Sequence, residues 1–210
     1  MSRLARGPDG GRPEASRQQL VTIAIDCFAR HGFQGSSIDR IAKAAGVTKG
    51  ALYYHFRDKE DLLLEAVQNR IGEFERHVVE AVAASEDAQE RLKRVVDACF
   101  FTATASNHRR FIITLMVEAL DTNPRLSDKF RMVLRRMRGF LADVVTAGQR
   151  RGTLRTDVAA ADAAALIAGT IMGAEIQHYQ DPNEVDLRRV LDAHLQQLAD
   201  WLARPAGTAA

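Results

Sequence analysis

The sequence predicts an all-α protein of about nine helices, a small amino-terminal three-helix unit followed by a larger helical body. Three observations predict it. Apolar residues recur at helical spacing along most of the chain, and no segment shows convincing alternation with a period of two. Aromatic residues are 6% of the 210, and there are five prolines, whereas an all-β chain uses more aromatic residues and more turn punctuation. The periodic stretches are separated by short polar joints containing Ser, Asn, Asp, Gly or Pro.

Residues 1–15 (MSRLARGPDGGRPEA) are rich in Gly, Pro and Arg and are expected to form a disordered basic arm. Ser16 is placed to cap the first helix. Leu20, Ile23, Ala24, Cys27, Phe28 and His31 then share one helical face, and Gly32 is expected to end the helix. Ser36 and Ser37 precede a short second helix carrying Ile38, Ile41, Ala42 and Ala45, which Gly46 breaks. Thr48 is a second capping residue, before a short helix from Lys49 to Phe56. Two helices joined by the Ala45-Gly46-Val47 turn form a helix-turn-helix signature. Asp58 caps a long fourth helix from Lys59 to about Ala84, roughly 40 Å at 1.5 Å per residue. Further helices are expected at about 87–105, 108–121, 124–150, 157–180 and 185–203. The domain division follows: arm 1–15, helix-turn-helix domain 16–60, and a second domain 61–210.

The net charge of +2 is unevenly placed. Residues 1–60 hold ten basic and six acidic residues, so the positive end of the chain is the one suited to an anionic partner. Cys27 and Cys99 both fall inside apolar helical patterns, which argues for free thiols and a cytoplasmic setting. Met1–Ala15 contains no apolar stretch, so no signal peptide is expected. The apolar run Ala163–Ala174 is too short to span a bilayer, which needs about 20 residues.

The chemistry is concentrated in Ser37–Lys59, SIDRIAKAAGVTKGALYYHFRDK. With Leu52 and Phe56 turned inward, the third helix presents Gly50 and Tyr54 outward, flanked by Ala51, Tyr53 and His55, with Lys49 at its start. Two wet tyrosines are an unusual solvent face. A DNA groove accounts for them: a recognition helix enters by its amino-terminal end. Gly50 permits close approach of the backbone, and tyrosine hydroxyls donate to phosphates. Thr48, Lys49 and Ser37 are further donors. Lys59 meets a phosphate at the start of the fourth helix, and Arg3, Arg6 and Arg12 add contacts from the arm. Each has a plainer alternative: Tyr53 packs on the first helix, His55 is a structural cap, Lys59 is an ordinary solvated residue.

The pattern Ile38-xx-Ile41-Ala42-xx-Ala45-Gly46-Val47-Thr48-Lys49-Gly50-x-Leu52-Tyr53-Tyr54-His55-Phe56-xx-Lys59-xx-Leu62 resembles the DNA-binding segment of the TetR family of bacterial transcriptional regulators, over about residues 16–65. The resemblance implies a homodimer that binds a palindromic double-stranded DNA operator, most simply as a repressor, and a carboxy-terminal domain that takes a small-molecule effector. Position by position it implies DNA contacts from Thr48, Lys49, Gly50, Tyr53, Tyr54, His55 and Lys59, and a phosphate contact from Ser37.

For the second domain, Phe100, Phe101, Phe111, Leu115, Met116, Met137, Phe140 and Met172 are candidate walls for a largely apolar effector, with Glu118 and Gln177 as polar pointers. An apolar stripe is equally the mark of ordinary core, and Glu118 alternatively pairs with Arg135. Gly169-xxx-Gly173, with Ala165 one turn earlier, gives the eighth helix a face of small residues. The ninth carries Leu191, Leu195 and Leu198. Together they are candidates for a four-helix dimer interface, the alternative being packing within one subunit. The basic helix 124–150 either draws an anionic ligand such as an acyl-coenzyme A or is a solvated face. No Gly-rich phosphate loop, G-x-S-x-G or H-E-x-x-H is present, so neither an enzyme, a cofactor nor a metal site is expected; Cys27 and His31 at i, i+4 have no further ligands nearby. No membrane partner is expected.

Overall fold

In a computed structural model, residues 15–203 are described. Arg3, Arg6 and Arg12 of the expected arm lie outside them. Nine helices and no strand occur among the described residues: α1 (Arg17–Gly35), α2 (Ile38–Ala45), α3 (Lys49–His55), α4 (Lys59–Ala83), α5 (Ala88–Ala105), α6 (His108–Thr122), α7 (Pro124–Arg150), α8 (Ala160–Gln180) and α9 (Leu187–Leu202).

The chain divides into two compact units, one closing at Glu73 and the other opening at Phe74. The expected division at residue 60 therefore differs from the structure. Leu62, Leu63, Ala66 and Val67 of α4 are fully buried, and their burial places the first half of that helix with the amino-terminal core.

In the first unit, Ser16 closes a capping box with Gln19 and starts α1. Leu20, Val21, Ala24, Ile25 and Phe28 bury one face of that helix. Gly32 leaves helical geometry at φ 71°, ψ 170°, a conformation open to glycine, so the helical run breaks there as its sequence predicts. His31 is exposed, not on the buried face; the break at Gly32 carries the chain away one residue later. Ser37 caps α2 through Arg40 N–H at 3.1 Å. Gly46, at φ 68°, ends it in the left-handed conformation.

In the second unit, α8 lies at the centre, packed on α7 and α9 and also against α5 and α6. Its inner stripe is Ala163, Ala164, Ile167, Ala168, Ile171 and Ala174, all buried. Small residues on this stripe let neighbouring helices close in. Gly148 of α7 is buried where a Cβ would lie 2.6 Å from Leu154 Cδ1 and 2.7 Å from Ala88 Cβ. Leu154 pins the α7–α8 connection to the end of α9: Arg155 N–H donates to the Leu202 carbonyl at 3.0 Å.

Several expected surface roles are corrected here. Leu191 and Leu198 are buried within their own subunit, because α9 turns its apolar stripe onto α5 and α8; they have no surface left for a partner chain. Phe101 is 68% exposed on the outside of α5 and Glu118 is exposed on α6, so neither lines an interior. Gln177 is exposed on α8 and donates to the Gly173 carbonyl at 3.3 Å. Ala165 and Gly169 do face outward, with Leu166, Thr170 and Ile176, and nothing lies within 4 Å of a Cβ built on Gly169 or Gly173. Leu195 and Gly173 are half-buried.

Candidate nucleic-acid interface

The reading face of α3 is set by two buried anchors. Leu52 and Phe56 are 1% and 2% exposed, and the residues between them point away. Tyr54 is 86% exposed and Tyr53 49%. Gly50, Lys49 and Thr48 are exposed, and His55 is half-buried. Tyr54 thus stands almost wholly in solvent, and Tyr53 about half. The His55 ring meets the Tyr54 ring edge-on at 5.0 Å and the Phe56 ring at 6.2 Å, so it bridges the anchor and the outward face.

The cap residues do two things at once. Thr48 Oγ1 accepts from Ala51 N–H at 3.2 Å, and Ser37 Oγ accepts likewise at the start of α2. An accepting hydroxyl keeps its own hydrogen, so each still has one donor for a phosphate oxygen. Lys49 Nζ pairs with Asp39 at 3.2 Å. Both side chains are largely solvated, so this pair contributes little and yields readily to a phosphate.

Lys59 has a partner within the protein. Its Nζ donates to the Phe33 carbonyl at 2.9 Å and lies 4.1 Å from the centre of the Phe33 ring. It ties the start of α4 to the end of α1. Arg17 makes a second such tie, with its Nε 2.8 Å from Glu65 Oε1 and its guanidinium 5.0 Å from the Phe56 ring centre. The sequence signal for both was an exposed-looking basic residue near an aromatic at no fixed spacing, which periodicity does not reveal.

The second unit contains a polar site that sequence reasoning missed. Glu175 is 0% exposed in the core stripe of α8, and Arg109 at the start of α6 meets it: Nη2 to Oε2 at 2.9 Å, Nε to both oxygens at 3.2 Å. The Arg109 guanidinium also lies 5.2 Å from the Phe74 ring centre. Burial raises the Glu175 carboxyl above its ordinary range, with Arg109 opposing; burial also disfavours charge on Arg109, but Glu175 outweighs it and holds the guanidinium charged. Burial likewise pushes the Cys99 thiol up to about 12 and raises the Tyr179 hydroxyl, whose O–H donates to the Ala103 carbonyl at 3.4 Å. The available signal was Glu175 itself, an acid at i+4 and i+8 of the buried Ile171 and Ile167.

Phe100, Phe111, Met116, Met137, Phe140 and Met172 are half-buried, while Leu115 is buried. On the basic helix α7, Arg131 pairs with Asp128 and Arg136 with Glu75 at 2.9 Å, and Arg151 beyond its end pairs with Glu86. No group of three or more metal-ligating side chains occurs among the described residues, and no helix there is long and apolar enough to cross a membrane.

Residues 20–66 match the family described as bacterial regulatory proteins, tetR family, and residues 88–200 match the BetI-type transcriptional repressor, C-terminal. The chain belongs to the TetR family of bacterial regulators. Among its relatives, a fatty acid metabolism regulator protein of Bacillus subtilis is 29% identical over 153 residues, 73% of this chain and 78% of that one. A TetR transcriptional regulator from Chloroflexus aurantiacus superposes with a TM-score of 0.81 at 26% identity, covering 90% of this chain and 96% of that one. The regulator FadR of Bacillus subtilis, solved with stearoyl-CoA, has the same fold at 24% identity and a TM-score of 0.77, covering 89% of this chain and all of that one. This TetR-family chain is therefore a ligand-responsive, DNA-binding transcriptional regulator.

Proposed function

We propose that the protein is a cytoplasmic repressor without catalytic activity that binds a palindromic operator as a homodimer and is released by a small effector with a long apolar part. One observation carries the DNA half: two tyrosines stand in solvent on a helix whose other face is fully buried. Tyr53, Tyr54, Gly50, Lys49, Thr48 and His55 line the reading face, Ser37 adds a phosphate contact, and Lys59 acts as a brace behind it. The recognition helices of a dimer would stand about 34–36 Å apart, one turn of DNA.

The dimer face we assign is the outer surface of α8, where Ala165, Gly169 and Gly173 leave open space beside exposed Leu166 and Ile176. The effector enters the second unit, among half-buried Phe100, Met137 and Phe140. It must prefer a conformer whose two reading heads no longer match the operator. A coupling of about 1–3 kcal/mol changes DNA affinity roughly 5- to 150-fold. The relative named for fatty acid metabolism, and the stearoyl-CoA complex of a protein of the same fold, favour an acyl chain as that apolar part.

The test is selection of bound duplexes from a random DNA pool. A palindromic consensus, with affinity falling steeply as salt rises, is the expected result. Enrichment of no sequence would overturn the proposal.

A further inference from the structure

The Arg109–Glu175 pair is not explained by packing. A buried ion pair is commonly no better for stability than apolar residues of the same volume, and this one sits in a core built mostly from Ala, Ile, Leu and Val, with Cys99 beside it. Its two members differ in access. The Glu175 side chain has no exposed surface, while that of Arg109 keeps 15%. Burial is thus complete on the acid and incomplete on the base. Nε and Nη2 face Glu175, and Nη1 makes no hydrogen bond to a protein group among the described residues. The fork therefore already accommodates one carboxylate and has donors left for a second.

We propose that Arg109 receives the carboxylate head of an effector whose apolar chain lies among Phe100, Met137 and Phe140, and that Glu175 is a stand-in that holds the guanidinium until that head arrives. This rests on the reading of the second unit as the effector-binding half. Phe74 packs on the guanidinium face and Glu175 neutralises it, so a cationic head would find its place taken by the protein's own cation. A neutral head makes only an ordinary, weaker hydrogen bond to the remaining donors. When the effector's carboxylate joins Glu175 on one guanidinium, the site holds one negative charge too many. Glu175, ionised against Arg109 but eased toward protonation by burial, then takes a proton from solvent and donates it to the effector's carboxylate oxygen. Binding is thus accompanied by uptake of about one proton.

The test is calorimetric titration of the full-length protein, without DNA, with three ligands sharing one tail: decanoate, decan-1-ol and decyltrimethylammonium. Decanoate is expected to bind at least about tenfold more tightly than the other two. Its binding enthalpy should differ between phosphate and Tris buffers at one pH, which registers the proton. Arg109→Gln should weaken decanoate at least about tenfold. Glu175→Gln should tighten it and abolish the buffer dependence, a gain that a merely structural pair would not give. If Arg109→Gln does not fold, the three-ligand comparison and Glu175→Gln still decide. Equal affinity for the three ligands, no binding of decanoate, decanoate binding without buffer dependence, or unchanged affinity in Glu175→Gln would each overturn the assignment. A screen in which another compound frees the operator while decanoate does not bind would remove this head group and leave the functional reading standing. Binding of decanoate by a protein that ignores all DNA would do the reverse.

Discussion

Replacing Tyr54 by Ala separates recognition from folding, because the side chain is 86% exposed while its neighbour Leu52 is 1% exposed. Removing a solvated ring from the outside of α3 should change folding stability by no more than about 0.5 kcal/mol. The loss at DNA is larger. One hydroxyl-to-phosphate bond with the ring contact around it contributes about 1–2 kcal/mol, and a two-fold complex loses it twice. The operator dissociation constant should therefore rise between about 30-fold and 1,000-fold. Tyrosine carries no charge, so the slope of log affinity against log salt should stay as in the wild type. Tyr54→Phe, which keeps the ring, should fall between the two proteins. Fluorescence anisotropy on a selected operator, beside thermal unfolding, reads all three quantities. Wild-type affinity in Tyr54→Ala, or a large fall in its unfolding temperature, would refute the assigned face.

Lys59→Met should destabilise the amino-terminal unit by about 1–2 kcal/mol through loss of the Phe33 carbonyl bond and ring contact, and leave the salt slope of DNA binding unchanged; a slope lower by about one per subunit would make Lys59 a phosphate contact instead. Gly148→Ala places a methyl group 2.6–2.7 Å from Leu154 and Ala88, and chemical denaturation should show a loss of about 1–3 kcal/mol. Burial lowers the His194 pKa below the ordinary 6.5, and its Nε2 has no hydrogen-bond partner. The unfolded chain then binds the extra proton first, so His194 makes stability fall as pH drops below about 6.5; in His194→Leu, urea unfolding at pH 5.5 and 8 should show a smaller difference than in the wild type. Gly169→Leu with Gly173→Leu should yield monomers by light scattering if the outer face of α8 is the dimer contact.

The amino-terminal half was legible because its determinants are local. Ser16, Ser37 and Thr48 each cap the helix that follows them, Gly46 ends α2 in a left-handed conformation that few residues but glycine adopt, and the Leu52–Phe56 spacing fixes which side of α3 is wet. The second unit was legible as helices and much less as a site. Periodicity tells which face of α9 is apolar, not whether that face meets its own subunit or another, and Leu191 and Leu198 were lost to that ambiguity. Glu118 and Glu175 both interrupt apolar runs; only the angular position of Glu175 in line with Ile167 and Ile171 distinguishes the buried acid from the exposed one. Its partner Arg109 lies 66 residues away at a helix start, a separation no local pattern reports.

The shared hydroxyls of Ser37 and Thr48 bear on how such a regulator can change its target. A substitution at either cap alters a helix terminus and a phosphate grip together, so few replacements are neutral. Tyr53 and Tyr54 carry no such double duty, since neither is buried behind the helix. Divergence toward new operators is thus channelled into the middle of α3, while its threshold residues stay fixed. A library meant to retarget this protein should randomise the former and leave the latter alone.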